Sequence, residues 1–410
     1  MTWLVVIGGL VLLVFLHELG HFSVALALGM RPRSFYVGFP PALAKVRWRG
    51  IEYGIGLIPL GGLVRIPGMH RPAARDLEVF MEPAVREAPS LSAAVGAVRR
   101  ALELEDFDAA RRAYPELERE VELARLSPGA RRSAKRALRE VEEGTAPDAY
   151  WRAAIWRRVA VIAAGPLANV LIAFAILFTV FAVSGGPSAQ PSVTVAAVEP
   201  GTPAATAGLR PGDRVLAVDG RPVGSFAVLS RLIRASYGRP VSLTVRRGGK
   251  RLVLGPRRTI FRHGRWIWGF EPAARLVKYS PGRAAGSAAS DLWHVVTGTG
   301  AGIASLVSAH ERSHLSGPVG IVRVSHAELQ IGLTYYLEIL ALVSMSLALL
   351  NLLPLLPLDG GHILFSLIEG VRRRSLAREV YERVSVVGIA LIVLVFVIAF
   401  SNDLSVRAPH

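Results

Sequence analysis

The sequence predicts a polytopic α-helical membrane protein with about four transmembrane helices and a soluble α+β segment between the second and the third. Two observations carry that reading. Hydrophobic residues make up 51% of the 410, and the excess is gathered into four runs: Trp3–Leu28, Val159–Val183, Leu333–Leu356 and Val384–Phe400. Runs of about 20 apolar residues are what a bilayer core demands of a helix. Between residues 190 and 275, by contrast, short β-type runs alternate with Gly, Pro and Asp turns, the pattern of a water-soluble fold.

The elements follow in order. Residues 1–30 read as a first transmembrane helix. It is expected to be retained, because it lacks a basic n-region and is too long for a signal-peptide h-region. Residues 31–69 alternate strand-like stretches with turns. Residues 70–149 form a charged insert rich in Arg, Glu and Ala. Helices are expected there over Leu91–Ala113, Pro115–Leu126 and Pro128–Glu143, making a solvated hairpin or a lid. Residues 150–184 open with Tyr150, Trp151, Ile155 and Trp156 among Arg152, Arg157 and Arg158, the composition of an interfacial anchor. The second helix follows and carries no charge. Residues 276–332 are an amphipathic segment and linker. Residues 333–362 hold the third helix, with Glu338 near its start and Pro354 interrupting it. Residues 363–410 supply a short basic loop, the fourth helix and a tail.

Basic residues set the orientation. None precedes the first helix, whereas Arg31, Arg33, Lys45, Arg47 and Arg49 follow it. Arg372, Arg373, Arg374, Arg378 and Arg383 lie between the third and fourth helices. Both loops are expected in the cytoplasm, with the N-terminus and the segment between the second and third helices outside. The net charge of +17 is read as membrane-flanking, where anionic lipid attracts Lys and Arg. Nucleic acid is excluded as a partner because no base-stacking motif or zinc finger accompanies the charge. There are no cysteines, so thiol chemistry and disulfides are out, and any metal must be held by His, Asp or Glu.

Inside the first run stands His17-Glu18-Leu19-Gly20-His21, an HExxH pattern. Four residues advance a helix by roughly 400°, so both imidazoles return to one face, where they can share a Zn²⁺. Glu18 is then placed to take a proton from water. Ionisable groups at lipid depth are costly and mark function by default. A catalytic zinc normally has a third protein ligand. Asp359 is the candidate, in Asn351-Leu-Leu-Pro-Leu-Leu-Pro-Leu-Asp-Gly-Gly-His362 at the cytoplasmic end of the third run. The orientation argument puts His17 and His21 at similar depth. Pro354 and Pro357 break the helix, and Gly360 and Gly361 are expected to allow unusual backbone angles. A second HExxH, His310–His314, lacks a nearby third ligand and reads as a decoy. His362 reads as a helix-start histidine at the interface or as a supporting partner of the site.

With these motifs in place, the chain resembles the site-2 proteases, membrane zinc proteases, and most closely the bacterial regulator-of-sigma-E-protease type. The residues that carry the likeness are His17–His21, Ala164-Gly-Pro-Leu-Ala-Asn169, Leu315-Ser-Gly-Pro-Val-Gly-Ile321 and Asn351–His362. One departure is NxxPxxPLDG where the family often has NxxPxPxLDG. The resemblance implies His17, His21 and Asp359 as zinc ligands and Glu18 as general base. It implies Asn351 and Asn169 near a substrate cleft, and a membrane-associated β-hairpin over Arg33–Gly68 whose edge, with Gly61 and Gly62, adds the unwound substrate as a strand. Residues 190–275 resemble a bacterial PDZ domain through Val198–Gly220, with Trp266–Phe270 as either its carboxylate-binding stretch or a core strand. The implied substrates are single-pass membrane proteins already trimmed by another protease, anti-sigma factors foremost. The implied place is the bacterial inner membrane, with the active site near the cytoplasmic face and the PDZ domain external. Two other classes stay open at this stage: an inactive scaffold working through its PDZ domain, and a transporter using His and Asp as a relay.

Overall fold

The computed structural model describes residues 2–187, 192–262, 264–273, 276–305, 317–374, 376 and 378–405. Two compact units emerge, one of Met1–Ile176 with Ala289–His410, the other of Leu177–Ala288. Among the described residues four helices are long and apolar enough to cross a membrane.

The first, α1 (Thr2–Ala27), holds Glu18 as its one charged residue. Its buried positions are Val6, Leu13, His17, His21 and Ala25. Their spacing of seven and then four residues is a single helical stripe, so the two histidines lie on the face that packs. After it, β1 (Ser34–Trp48) and β2 (Ile51–Arg65) form more than a simple hairpin. Ser34 is partnered by both Glu52 and Arg65, and Val37 by both Ile55 and Gly62. Farther along, Ala44–Trp48 pair with Ile55–Ile51. The two kinked strands thus make four arms, with the start of β1 between the two ends of β2. Phe35 of β1 meets Phe15 and Phe22 of α1 edge-on, which seats the sheet against that helix.

The charged insert differs from its expectation. It contains four helices, α2 (Ala74–Glu87), α3 (Leu91–Glu103), α4 (Phe107–Leu123) and α5 (Pro128–Thr145). Each packs on two others in a closed ring, around a core that includes Met81, Leu91, Val98, Leu117 and Ala134. The expected helix over Leu91–Ala113 breaks after Glu103: Glu105 turns left-handed, at φ 57°, and Asp106 accepts the Ala109 N–H as an N-cap. Pro115 lies inside α4 rather than at a helix start. The unexpected α2 carries Leu77, Met81 and Ala84 on one face, a pattern interrupted in sequence by Pro83. A self-cored bundle replaces the solvated hairpin. It is tied to the sheet by Arg65–Glu143 and by a bidentate Arg33–Asp148 pair at 3.0 and 3.1 Å.

The residues of the expected interfacial anchor are placed differently from one another. Tyr150 is buried, and Trp151 Nε1 donates to the Gly144 carbonyl at 2.8 Å. Of the aromatic residues, Trp156 is the exposed one, at the start of α6 (Ile155–Val183).

The second unit contains β3 (Gly186–Pro187), β4 (Val195–Val198), α7 (Pro203–Thr206), β5 (Arg214–Val218), β6 (Arg221–Pro222), α8 (Phe226–Arg234), β7 (Pro240–Arg247), β8 (Lys250–Arg258), β9 (Ile260–Arg262), β10 (Arg265–Ile267), β11 (Phe270–Pro272) and β12 (Leu276–Val277). Its sheet runs β6-β5-β7-β8, with β4 paired to β11, β9 to β10 and β3 to β12. Val215, Leu229, Leu243, Val245 and Trp268 fill its core. Between residues 177 and 288 stand seventeen Arg and Lys against four Asp and Glu. Most of the net charge therefore belongs to this unit, and not to the flanks of the membrane helices as expected. Asp213 is 1% exposed, clasped by Arg247 and by the Arg210 N–H at 2.9 Å. Burial works against its ionisation, but these donors outweigh it and hold the carboxyl below its ordinary range.

The chain returns through α9 (Pro281–Ser305), α10 (Pro318–Ile331), α11 (Leu333–Asn351), α12 (Asp359–Arg372) and α13 (Arg378–Ser405). The third apolar run does not stay helical to Leu356: α11 stops at Asn351. The fourth helix starts earlier than its apolar run, at Arg378. Gly360 and Gly361 have no positive φ. They are needed for another reason, since a Cβ at either would overlap backbone of the Leu352–Leu356 turn. From α13, Asp403 accepts the N–H groups of Gly317 and Gly320 at 2.9 and 2.8 Å and so caps α10. His310–His314, Leu315 and Ser316 lie outside the described residues.

One buried ion pair ties α6 to α12. Arg158 bonds Glu369 and, at 3.1 Å, Ser366, with side chains 8% and 10% exposed for the two ions. Glu369 also accepts the Leu376 N–H at 2.8 Å. Removing one member of such a pair strands the other charge. Glu369→Ala is therefore expected to cost about 3–5 kcal/mol, read as a fall in thermal midpoint in detergent; an unchanged midpoint would refute this. For Asp213, whose folded pKa is depressed, the stabilisation is present above the ordinary carboxylate range and fades as pH falls through the folded value. Acid titration of unfolding should show that loss, and Asp213→Asn should remove the pH dependence it contributes.

Candidate metal centre

The two imidazoles of α1 and the carboxylate that opens α12 converge. His17 Nε2 lies 3.3 Å from His21 Nε2, and Asp359 Oδ2 lies 3.4 and 3.3 Å from the two. Among the described residues these three form the group suited to hold a metal ion. A triangle with sides of 3.3–3.4 Å has its centre about 1.9 Å from each corner. An ion slightly above that plane sits at about 2.0–2.2 Å from two imidazole nitrogens and a carboxylate oxygen, the distances zinc prefers.

Protonation supports the same reading. His21 Nδ1 donates to the Val161 carbonyl at 2.9 Å, so its Nε2 is bare. His17 Nδ1 faces the amide of Asn169, whose Nδ2 is 3.1 Å away and whose Oδ1 is buried without a partner. Turning that amide by half a rotation would let Oδ1 accept an Nδ1–H of His17, the assignment that a metal at Nε2 requires. Then His17 Nε2 is bare as well. Asp359 Oδ2 is buried and accepts no hydrogen bond, although both imidazoles are near. With these tautomers, three lone-pair donors face one point. A cation resolves that repulsion, and the donor set fits zinc.

Neighbouring residues explain why the pieces meet. Gly20 allows α1 to touch α6, since a Cβ there would overlap the Ala164 carbonyl. A Cβ at Gly165 would overlap the His21 ring. Asn169 is fully buried, and its own carbonyl accepts the Ser344 hydroxyl of α11 at 2.9 Å. One turn of α6 serves two ligands: Val161 orients His21, while Arg158 grips the helix that begins with Asp359. That aspartate sits in the first turn of α12, where the helix dipole favours a carboxylate.

Glu18 follows His17 on α1, and its carboxylate lies towards the Val64 N–H of β2. A Cβ at Gly62 would overlap Glu18 Cγ, so the strand end presses on the carboxylate. Gly61 is turned away, over the Phe39 ring. Asn351 ends α11, half-buried, its amide without a hydrogen bond to a described residue. His362 is not in the cluster. It stacks beside Tyr381 of α13, with centroids 6.5 Å apart, and His70 meets the same ring at 4.7 Å. The orienting carbonyl of Val161 and the contact of Gly165 escaped sequence reasoning. Gly165 lies within the Ala164–Asn169 run, but no spacing rule tells what it faces.

Peptidase family M50 matches residues 5–395 of the chain. A protein of Agrobacterium fabrum, named as a zinc metalloprotease, is 31% identical over 409 residues, which cover 96% of this chain and 93% of its own. RasP, a zinc metalloprotease of Geobacillus kaustophilus, is 29% identical over 431 residues, 98% of this chain and 97% of its own. A protein of Neisseria meningitidis serogroup A, also named as a zinc metalloprotease, is 30% identical over 452 residues, 98% and 99% of the two chains. The chain belongs to peptidase family M50.

Partners that orient metal-bound histidines typically contribute about 10–100-fold to metal affinity. Asn169→Ala is expected to weaken zinc binding by that order, and Gly165→Ala to do so at least as strongly. Chelator competition on purified protein measures both. Full zinc retention in Asn169→Ala would show that the amide does not orient His17.

Proposed function

On the premise of its membership of peptidase family M50, we propose that the protein is an intramembrane zinc endopeptidase that cuts transmembrane segments of single-pass membrane proteins. The observation that supports it most is the convergence of His17, His21 and Asp359, whose two imidazoles come from an apolar helix. A scaffold working through the second unit alone would have no use for three bare donors aimed at one point.

His17, His21 and Asp359 would hold the zinc, which when bound would supply Lewis-acid polarisation of a peptide carbonyl and a water acidic enough to lose a proton near pH about 7. The chain does the rest. Glu18, packed against Gly62 of β2, takes the proton from water and returns it to the leaving amine. Val161 and Asn169 keep both histidines in the tautomer that leaves Nε2 free. The substrate must be extended, because a helix hides its carbonyls in its own hydrogen bonds. The arm of β2 at Gly62 would give it a strand to pair with, and the amide of Asn351, unpaired among the described residues, would hold its backbone.

We read the second unit as a PDZ-type domain on the external side, a docking site or size filter for substrates already trimmed by another protease. Anti-sigma factors are the leading substrate class, from the resemblance in sequence. The orientation rests on Arg31–Arg49 and Arg372–Arg383, which put the active site near the cytoplasmic face of a bacterial inner membrane. The four-helix insert would stand on the same side.

Glu18→Gln is expected to lower cleavage of a tagged single-pass substrate by at least about 10²-fold, the scale of general-base catalysis, with zinc retained. Cleavage at the wild-type rate in that variant would end the assignment. Gly62→Ala, which displaces Glu18 without touching a ligand, should lower kcat while zinc content stays stoichiometric.

A further inference from the structure

The second unit carries a groove between α8 and the β9–β11 strands. Its inner part has a volume of about 370 Å³ and its outer mouth about 800 Å³. The floor is apolar, from Leu229, Ile233 and Phe270. Phe261 and Trp266, packed edge to face at 5.3 Å, stand at the mouth. Arg231 and Arg234 line it from α8 and Arg265 from the start of β10; the mouth has no acidic residue in its lining, and Glu199 and Glu271 lie at the inner end. Arg231 and Arg234 are three apart, so they share one face of the helix.

The unit's acidic residues are largely spoken for. Asp213 is held by Arg247, Asp219 accepts the Ser242 N–H at 2.8 Å, and Glu199 pairs with Arg262 at 3.6 Å. Arg231, Arg234 and Arg265 make no ion pair among the described residues. Three guanidiniums gathered at the mouth, with the glutamates at the inner end and the apolar floor between, repel one another and attract carboxylates, to which the planar fork is matched. Along one wall, β11 is hydrogen-bonded on one edge, to β4, which leaves backbone groups for an added strand.

We infer that this groove takes an acidic peptide: an extended segment whose carboxylates seat on Arg231, Arg234 and Arg265 while its apolar side chains fill the floor. The inference rests on reading this unit as a peptide-docking domain. It deepens that reading by making negative charge the property selected. A lipid surface is the poorer fit, because a bilayer is flat and cannot fill a slot with an apolar floor.

The test uses the full-length protein in detergent and a fluorescein-labelled peptide in which Asp and Glu alternate with Leu and Val. Binding should weaken with salt. It should fall at least about tenfold when the peptide's acids become Asn and Gln. Loss on C-terminal amidation alone, with the Asn/Gln peptide still bound, overturns the inference. The triple variant R231E/R234E/R265E should lose binding to the same extent. The triple Gln variant, with an unchanged melting curve, should lose most of it, which separates charge from folding. Equal binding of acidic and neutral peptides overturns the inference, as does full binding by either triple variant. Arginine-dependent binding of full-length protein in nanodiscs to phosphatidylglycerol vesicles, with none to the peptide, also overturns it. Binding is read without cleavage and should persist in Glu18→Gln, so its failure is distinct from failure of the protease reading.

Discussion

Two bare imidazole nitrogens and a carboxylate oxygen within 3.4 Å of one another are the constraint around which the first unit is arranged. Placing such groups among apolar helices is expensive, about 2.5–3.5 kcal/mol for one aspartate at a bilayer centre. Bringing the three together adds lone-pair repulsion. A bound divalent cation reverses the sign of that repulsion, and its binding free energy then becomes folding free energy. The surrounding protein therefore has to hold the donors against their own preference until the ion arrives.

It does so mainly through α6. That helix makes no metal contact, yet its Val161 carbonyl fixes one histidine and its Asn169 faces the other. Its Arg158 reaches the helix that carries the third donor. Glycines at positions 20 and 165 bring α6 close enough for this. The buried Arg158–Glu369 pair acts as a registry device: a hydrophobic substitute would pack, but it would not set how far α12 can slide. Chain connectivity leaves Asp359 at the end of a proline-broken turn, so without such a clamp its position would follow the mobility of that turn.

What the sequence revealed and what it hid divide along physical lines. Apolar runs report spans because the bilayer demands length and composition, and all four were legible. HExxH was legible because helical spacing alone puts both histidines on one face. Asp359 followed from the need for a third ligand and from depth. The end of α11 at Asn351, five residues before the apolar run stops, was not legible. Hydropathy cannot see that Pro354 disfavours helix in the residue before it and removes a donor of its own. The insert was misread because mixed charges mask amphipathic faces: α2 buries Leu77, Met81 and Ala84, three residues in fourteen. Tyr150 and Trp151 have the composition of an interfacial anchor, and only contacts to Ser366 and Gly144 show that they are packed inside. Those contacts span 216 and 7 residues, and the longer one has no sequence signature.

The placement of a sheet beside the ligands is the remaining step. Hydrolysis inside a membrane faces two barriers besides chemistry: water must be admitted, and the substrate's helix must be undone. A helical site could solve neither, because its own backbone is satisfied. Here β2 brings Gly62 and Val64 against Glu18, and the α11–α12 turn brings irregular backbone to the other side. Unsatisfied backbone at lipid depth survives where protein lines a polar cavity. Such backbone is also what an unwound substrate can pair with. On the proposed mechanism, polar backbone here would both admit water and repay part of the cost of opening the substrate helix, close to Glu18. The exposed apolar residues of the sheet, Leu43, Val46 and Trp48 among them, would keep this assembly in the membrane, so that the substrate meets it without leaving lipid.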